Sequence, residues 1–417
     1  MIRNARLQWV ALMGISLLPG CASVDPAPGA EQPPEPKVVS INPAELAAIK
    51  AKLAADAKFL RPALDRLIED ADKALKQRPL SVLDKKKSVT GADAHDYVSY
   101  APYFWPDPDK PDGLPYVRRD GKRNYELVRH GDAPNFGAVM QAVHALAFGY
   151  YFTGDARYAE HAATLLRAWF LDPKTRMNPN LDHAQAVPGG DSGRPEGVLE
   201  FRDMPQLVDA LGLLEASPAW TEADRKAMRE WLGQYYQWLT TSRIGKGENE
   251  AANNHGTWYD AQVAGFALFT GDRDLAKKVI EDSKTKRIAA QIEPDGRQPL
   301  ELKRTKSFDY SRGNLDGLFA LATLGKQVDV DLWSFETKDG RSIRKALDWL
   351  IPYATGEKKW AYEQIKDLQG GSLAPLLRRA AVAFHEPAYE KLLAKLPGRE
   401  GGVSLLLYPG LQVGSGG

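Results

Sequence analysis

The sequence predicts an all-α protein in which antiparallel helix pairs build an incomplete (α/α) toroid. Three observations carry that expectation. Apolar residues recur every three to four positions over long stretches, which is the helical period. A phrase suited to ending one helix and starting the next occurs twice, as Phe152-Thr153-Gly154-Asp155 and as Phe269-Thr270-Gly271-Asp272. Strand-like patterns are scarce until residues 403–408. In each copy of the phrase the glycine suits a left-handed helix C-cap and the aspartate suits the next N-cap. Leu324-Gly325-Lys326 reads as a degenerate third copy. A helical solenoid is the alternative architecture, but it needs a more regular period than this chain has.

The chain opens on an address rather than on fold. Arg3 and Arg6 precede an apolar run over residues 9–18, which ends in Leu18-Pro19-Gly20-Cys21. That run is too short to span a membrane and reads as a secretory signal. Its end resembles a bacterial lipoprotein box in which Cys21 is lipidated, although Pro19 departs from the usual small residue. Cys21 is the only cysteine, so an intramolecular disulfide is excluded and attachment suits it better than catalysis. Residues 22–42, rich in Pro and Ala, read as a flexible tether, and residues 43–417 as one domain. The expected location is the periplasm or outer membrane of a Gram-negative bacterium, with the lipid as the only membrane contact.

Leu46, Ile49, Leu53, Leu60, Leu64 and Leu67 mark helical spacing from residue 43 to about 76, broken by Lys85-Lys86-Lys87. Helical patterns return over residues 136–152, 158–170, 261–269, 343–353 and 373–384. Two stretches interrupt them. DYVSYAPYFWPDP (96–108) is aromatic and proline-bearing, and Tyr103 and Trp105 are its candidates for a cleft wall. NPNLDHAQAVPGG (178–190), running on to Arg194, reads as a long loop of the kind that is functional or disordered. It offers His183, Gln185 and Arg194.

Lys+Arg 55 against Asp+Glu 54 is balanced, so no nucleic-acid partner is expected. An acidic substrate must instead be met by a local cleft. The 10 Trp, 16 Tyr and 13 Phe suit stacking on sugar rings, and equally suit large helical cores.

Chemistry concentrates in two clusters. Asn253-Asn254-His255-Gly256-Thr257-Trp258-Tyr259-Asp260 sits where a loop-like Gly245-Lys246-Gly247-Glu248-Asn249-Glu250 gives way to a helix. Its plain reading is an N-cap followed by core aromatics. The second cluster holds Arg304 and Tyr310, with a surface ion pair and a half-buried helix aromatic as the plain readings. Together the clusters supply a carboxamide, an imidazole, a fixed cation and a phenol. There is no HExxH, no glycine-rich phosphate loop and no tight His/Asp ligand spacing, so neither a metal nor another cofactor is expected.

NNHGTWYDAQ (253–262) followed by DGRQPLELKRTKSFDYS (295–311) resembles the alginate-lyase-like polysaccharide lyases, exported bacterial enzymes built on an α/α toroid. The resemblance runs from about residue 97 to 325. It implies β-elimination on a polyuronate, with Asn254, His255 and Arg304 on the uronate carboxylate and Tyr310 moving the protons. Tyr259 is an alternative phenol, and Asn253, Trp258 and Tyr259 join the substrate contacts. The Arg-to-Tyr interval varies among such lyases.

The chemistry asks for these groups. Removing the C5 proton of a uronate drives charge into its carboxylate, and aimed donors and cations stabilise that transition state. A phenol with a pKa of ~10 needs nearby cations to be partly ionised at neutral pH. One tyrosine can serve as base and acid where H5 and O4 share a ring face, as in mannuronate and glucuronate, which are therefore favoured. Guluronate needs a second group, most simply His255. Two rivals remain: a glycoside hydrolase using a pair among Asp260, Glu301 and Asp309, and a surface glycan-binding lipoprotein. The expected partner is an acidic polysaccharide or oligosaccharide, and the protein is expected to be a monomer.

Overall fold

The computed structural model describes residues 36–397 and 406–408. Contacts divide the chain into two units, Met1–Pro34 and Glu35–Gly417, and all described residues belong to the second. The signal, Cys21 and most of the tether lie outside the described residues. The end of the expected tether is instead packed: Val38, Val39 and Ile41 are buried. The Val39 and Ser40 amides donate to Asp209 at 2.6 and 3.0 Å. The fold thus begins before residue 43, because apolar side chains there gain burial.

The helical pattern expected from residue 43 to about 76 forms two helices, α1 (Pro43–Ala54) and α2 (Arg61–Ala74). Next come β1 (Val98–Tyr100), β2 (Phe104–Trp105), β3 (Val117–Arg118), α3 (Tyr125–Val128), α4 (Ala133–Thr153) and α5 (Ala156–Leu166). After β4 (His183–Ala186) follow α6 (Met204–Leu214), α7 (Glu222–Thr241), α8 (Arg243–Asn249), α9 (Asn254–Thr270) and α10 (Arg273–Ser283). The remainder is α11 (Pro299–Leu302), α12 (Ser307–Gly325), α13 (Ile343–Ala354), α14 (Ala374–Phe384) and α15 (Pro387–Leu393). Among the described residues the fold is all-α apart from two short strand pairings and an isolated bridge between Lys306 and Gln364.

Packing runs in a row: α2 on α4, α4 on α6, α6 on α9, α9 on α12 and α12 on α13, with α5 against α4 and α10 against α9. The pairs α4/α5 and α9/α10 are the hairpins that the repeated phrase punctuates. Gly154 and Gly271 take left-handed φ values of 75° and 84°. Asp155 and Asp272 then cap α5 and α10 by accepting from Arg157 and Leu275 amides. The third copy is not a cap. Gly325 stays helical at φ −57°, and a Cβ there would lie 2.4 Å from the Val330 carbonyl. Close approach explains that glycine, and the left-handed residue is Asp329.

Three further expectations change. Gly245-Lys246-Gly247-Glu248-Asn249-Glu250 is largely helical, as α8, capped by the Ser242 hydroxyl. A Cβ on Gly245 would sit 1.8 Å from the Leu239 carbonyl, so the glycine permits the α7–α8 turn rather than loop flexibility. The 178–190 stretch contains a strand, β4, parallel to β1, while β2 pairs antiparallel with β3. These pairings tie the two loop regions together. Leu406 and Leu407 are helical, not extended.

Helix α9 is buried on nearly every face, as a helix at the centre of a packed array must be. Its buried apolar residues divide between the two main cores, Tyr259, Val263 and Phe266 on one side and Trp258, Ala261 and Ala264 on the other. Among the described residues no helix is long and apolar enough to cross a membrane.

Candidate active site

A cleft of about 930 Å³ is lined by the β1–β2 loop, the turn at residues 193–203, α8, the start of α9 and the α11–α12 junction. Of the residues singled out in the sequence, it gathers Tyr103, Gln185, Arg194, Asn253, His255, Arg304 and Tyr310. Arg118, Arg123, Arg202 and Arg243 also line it, as do Asp191, Glu196, Glu200, Asp203 and Glu248. The cleft thus mixes guanidinium groups with carboxylates, in a chain whose net charge is +1.

The Arg304 guanidinium organises the centre. It donates through Nη2 to the Tyr310 hydroxyl at 2.8 Å and lies 3.8 Å from the Tyr310 ring centroid. The same Nη2 and Nε donate to Asp120 at 2.8 and 3.1 Å, and Thr305 adds two further donors to that carboxylate. Burial works to raise the Asp120 pKa, but Arg304 and Thr305 hold it well below the usual carboxylate range. The Tyr310 hydroxyl in turn donates to the Tyr103 hydroxyl at 2.9 Å.

The cationic field does not ionise this phenol as expected. Burial, with Tyr103 alongside, pushes the Tyr310 pKa well above its ordinary value, and Arg304 only partly opposes the rise. Asp120, whose charge opposes that of the arginine, adds a smaller rise. In this state Tyr310 is a neutral phenol with one donor and one acceptor partner.

His255 stands at the first turn of α9. Its Nδ1 is 2.7 Å from a Glu248 carboxylate oxygen, leaving Nε2 as the other ring nitrogen. Burial works to lower the imidazole pKa, but the hydrogen bond and charge of Glu248, with Glu196 and Glu301 nearby, leave it raised. At neutral pH the ring therefore favours its charged form more than an isolated histidine does.

Asn254 does not line the cleft. It is 5% exposed, and its side-chain amide donates to both Glu301 oxygens at 3.0 and 2.9 Å, while its backbone N–H donates at 2.7 Å. A carboxylate as deeply buried as Glu301 requires such donors. Trp258 and Tyr259 are also core residues: the indole donates to the Gly313 carbonyl and the phenol to the Leu239 carbonyl. Burial raises the Tyr259 pKa to about 12. His183, on β4, lies 3.6 Å from Asp96, and Trp105 donates to the Lys122 carbonyl. Neither lines the cleft. Arg194 pairs with Glu196 and stacks 4.9 Å from the Phe104 centroid, while Gln185, with left-handed φ 53°, donates to the Glu196 carbonyl.

The three carboxyl groups that the sequence offered for hydrolysis are engaged elsewhere. Asp260 forms a buried ion pair with Arg287 at 2.7 Å, Glu301 is held by Asn254, and Asp309 accepts from Gln364. None of the three lines the cleft. Among the described residues no group of three or more His, Cys, Asp or Glu side chains is placed to hold a metal ion.

A mostly helical frame and a cleft that holds the Arg304–Tyr310 pair and His255 fit a polysaccharide lyase. The chain matches the alginate lyase family over residues 81–360, more than half its length, and belongs to that family. It is similar to the crystal structure of an alginate lyase from Bacteroides ovatus, at 41% identity and a TM-score of 0.85 over 89% of this chain and 99% of that one. Alginate lyase A1-III from Sphingomonas species A1 shares the fold at 16% identity, with a TM-score of 0.56 over 90% and 96%. A variant of that enzyme complexed with tetrasaccharide matches equally well. No curated protein matches the chain. Family membership decides for a lyase against the hydrolase and the non-catalytic binder.

Proposed function

We propose that this chain cleaves a polyuronate, alginate first among the candidates, by β-elimination at the Arg304–Tyr310 pair. The observation that carries the reading is that pair, in hydrogen-bond contact within an arginine-lined cleft that also holds His255. Alginate comes from the family and from the Bacteroides ovatus relative, an alginate lyase by name.

In this mechanism the uronate carboxylate at the cleavage point meets His255 and Arg304, and the carboxamide lining the cleft beside them is that of Asn253. Charge that moves into the carboxylate as C5–H breaks is stabilised by these groups, a contribution of about 2.7–4 kcal/mol per donor in comparable sites. Tyr310, a neutral phenol in the free protein, first loses its proton to solvent in the cleft, with Tyr103, which accepts from it and lines the cleft, passing its own proton on in the same relay. The Arg304 N–H steadies the phenolate. The phenolate takes the C5 proton, the electron pair left on C5 forms the C4–C5 double bond as the C4–O4 bond breaks, and Tyr310 returns the proton to O4 of the departing sugar. With His255 charged, the ring is a donor rather than a base. That favours substrates whose H5 and O4 share a face, mannuronate or glucuronate. Export through the N-terminal signal and a lipid on Cys21 would put the enzyme where such polymers are met.

The test is ultraviolet absorbance of the protein with polymannuronate, polyguluronate and polyglucuronate, read beside a reducing-end assay. A rise on polymannuronate or polyglucuronate supports the reading. New reducing ends without absorbance refute elimination, and a rise on polyguluronate alone refutes the assignment of His255 as a donor.

A further inference from the structure

The Glu248–His255 contact bears on which job the imidazole does, and this inference rests on the lyase reading above. Glu248 is on α8 and His255 opens α9, seven residues later across the turn at residues 250–253. The glutamate side chain is 2% exposed and the histidine side chain 15%. Burying a carboxylate this deeply is costly unless it is paired. Its side-chain partner is Nδ1 of His255, at 2.7 Å, and both residues line the cleft.

We propose that Glu248 is the positioning residue of the site, fixing His255 through Nδ1 so that Nε2 meets the substrate carboxylate as a hydrogen-bond donor. A carboxylate that accepts from Nδ1 selects which nitrogen is left over. It also stabilises the imidazolium, in which both nitrogens carry protons, relative to the neutral ring, in which Nε2 would be a base. The surroundings act in the same direction. Glu196 faces the ring from the 195–201 turn and Glu301 from α11, and both favour the charged ring. Arg287 acts on Glu248 from beyond α10, and its guanidinium donates to the carbonyls of Asn249 and Ala251. That bond pair braces the turn between the two partners.

The positional and the electrostatic parts separate in Glu248→Gln. The amide oxygen still accepts from Nδ1, so the ring stays in place while the negative charge is gone. Burial, no longer opposed by that charge, then lowers the His255 pKa. The experiment follows the His255 imidazole by NMR titration in the full-length protein, assigned by its loss in His255→Gln, alongside kcat and KM on the cleaved polymer. The proposal expects a His255 pKa above the ordinary 6.5 in the wild type and a fall of at least one unit in Glu248→Gln. It expects kcat at neutral pH to drop at least tenfold with KM changed less than threefold, and Glu248→Asp to recover part of the loss.

The double variant Glu248→Gln/His255→Gln is expected to be no slower than His255→Gln alone, because the glutamate acts only through the histidine. Additive losses would mean that Glu248 merely supports the fold, and they overturn the proposal. An unchanged His255 titration in Glu248→Gln overturns it as well. A wild type that yields no unsaturated product refutes the lyase reading, whereas the titration still decides whether Glu248 controls the ring.

Discussion

Arg304 both stacks on Tyr310 and hydrogen-bonds its hydroxyl, with the guanidinium carbon 3.8 Å from the ring centroid and Nη2 2.8 Å from the oxygen. The flat, forked shape of the guanidinium allows this double contact while Nε and the same Nη2 hold Asp120. A lysine ammonium, a point charge on a flexible stem, cannot reproduce it. Arg304→Lys should therefore lose about as much as Arg304→Ala, a fall in kcat of about 10²–10³-fold. Steady-state kinetics on the cleaved polymer measure this, and near-normal activity in the lysine variant would refute the geometric argument.

Asp120 shapes the same centre from the opposite side. Its carboxyl is held well below the ordinary range in the folded protein, so it binds fewer protons folded than unfolded near acid pH. The stability it contributes is present above the unfolded pKa of about 3.9 and declines as pH falls below that value. Asp120→Asn should lower the melting temperature at neutral pH and flatten the acid side of the stability profile. It should also lower the Tyr310 pKa, because the arginine loses its counter-charge. Thermal melts from pH 3 to 7 and a phenol titration at alkaline pH check the two halves independently.

Asn254 behaves in this structure as a support for Glu301. Asn254→Ala removes two of the three N–H donors to a buried carboxylate, a cost of about 1–3 kcal/mol. Asn254→Asp should cost more, since it sets two carboxylates against each other. Denaturant unfolding would detect either loss. An Asn254→Ala protein of unchanged stability but reduced activity would return this carboxamide to the substrate.

Gly245 lies inside helix α8, where alanine is ordinarily the better helix former by about 1 kcal/mol. Here Gly245→Ala should destabilise the protein, because the Cβ would meet the Leu239 carbonyl at 1.8 Å. Activity should fall with it, since α8 carries Glu248. A melting temperature equal to or above that of the wild type would contradict the proposed fit of the α7–α8 turn.

His183 and Trp105 line no part of the cleft. His183→Ala and Trp105→Ala are expected to leave KM within about twofold of the wild type. A large rise in KM for either would mean that the substrate extends beyond the cleft described.

Helix periodicity and the paired Gly-Asp punctuation made the frame legible, since both are local signals read within one turn of the chain. Arg304, Tyr310 and His255, singled out by their chemistry and their motif, do line one cleft. Asp120 was not legible, because its partner is 184 residues away and no spacing encodes such a contact. Glu248 was hidden by two glycines that read as loop but permit close helix packing. Trp258, Tyr259 and Asn254 misled for the opposite reason. They sit in a polar motif, but α9 is buried on nearly every face and turns them inward, away from the cleft.

The most direct test of the central claim is Tyr310→Phe, assayed by ultraviolet absorbance on the polymer that the wild type cleaves. The ring and its stacking on Arg304 survive in that variant, and only the hydroxyl that moves the proton is lost. The account predicts a loss of unsaturated product of at least 10³-fold with binding retained. Product formation at a tenth of the wild-type rate or more would contradict it, and would pass proton transfer to another group in the cleft.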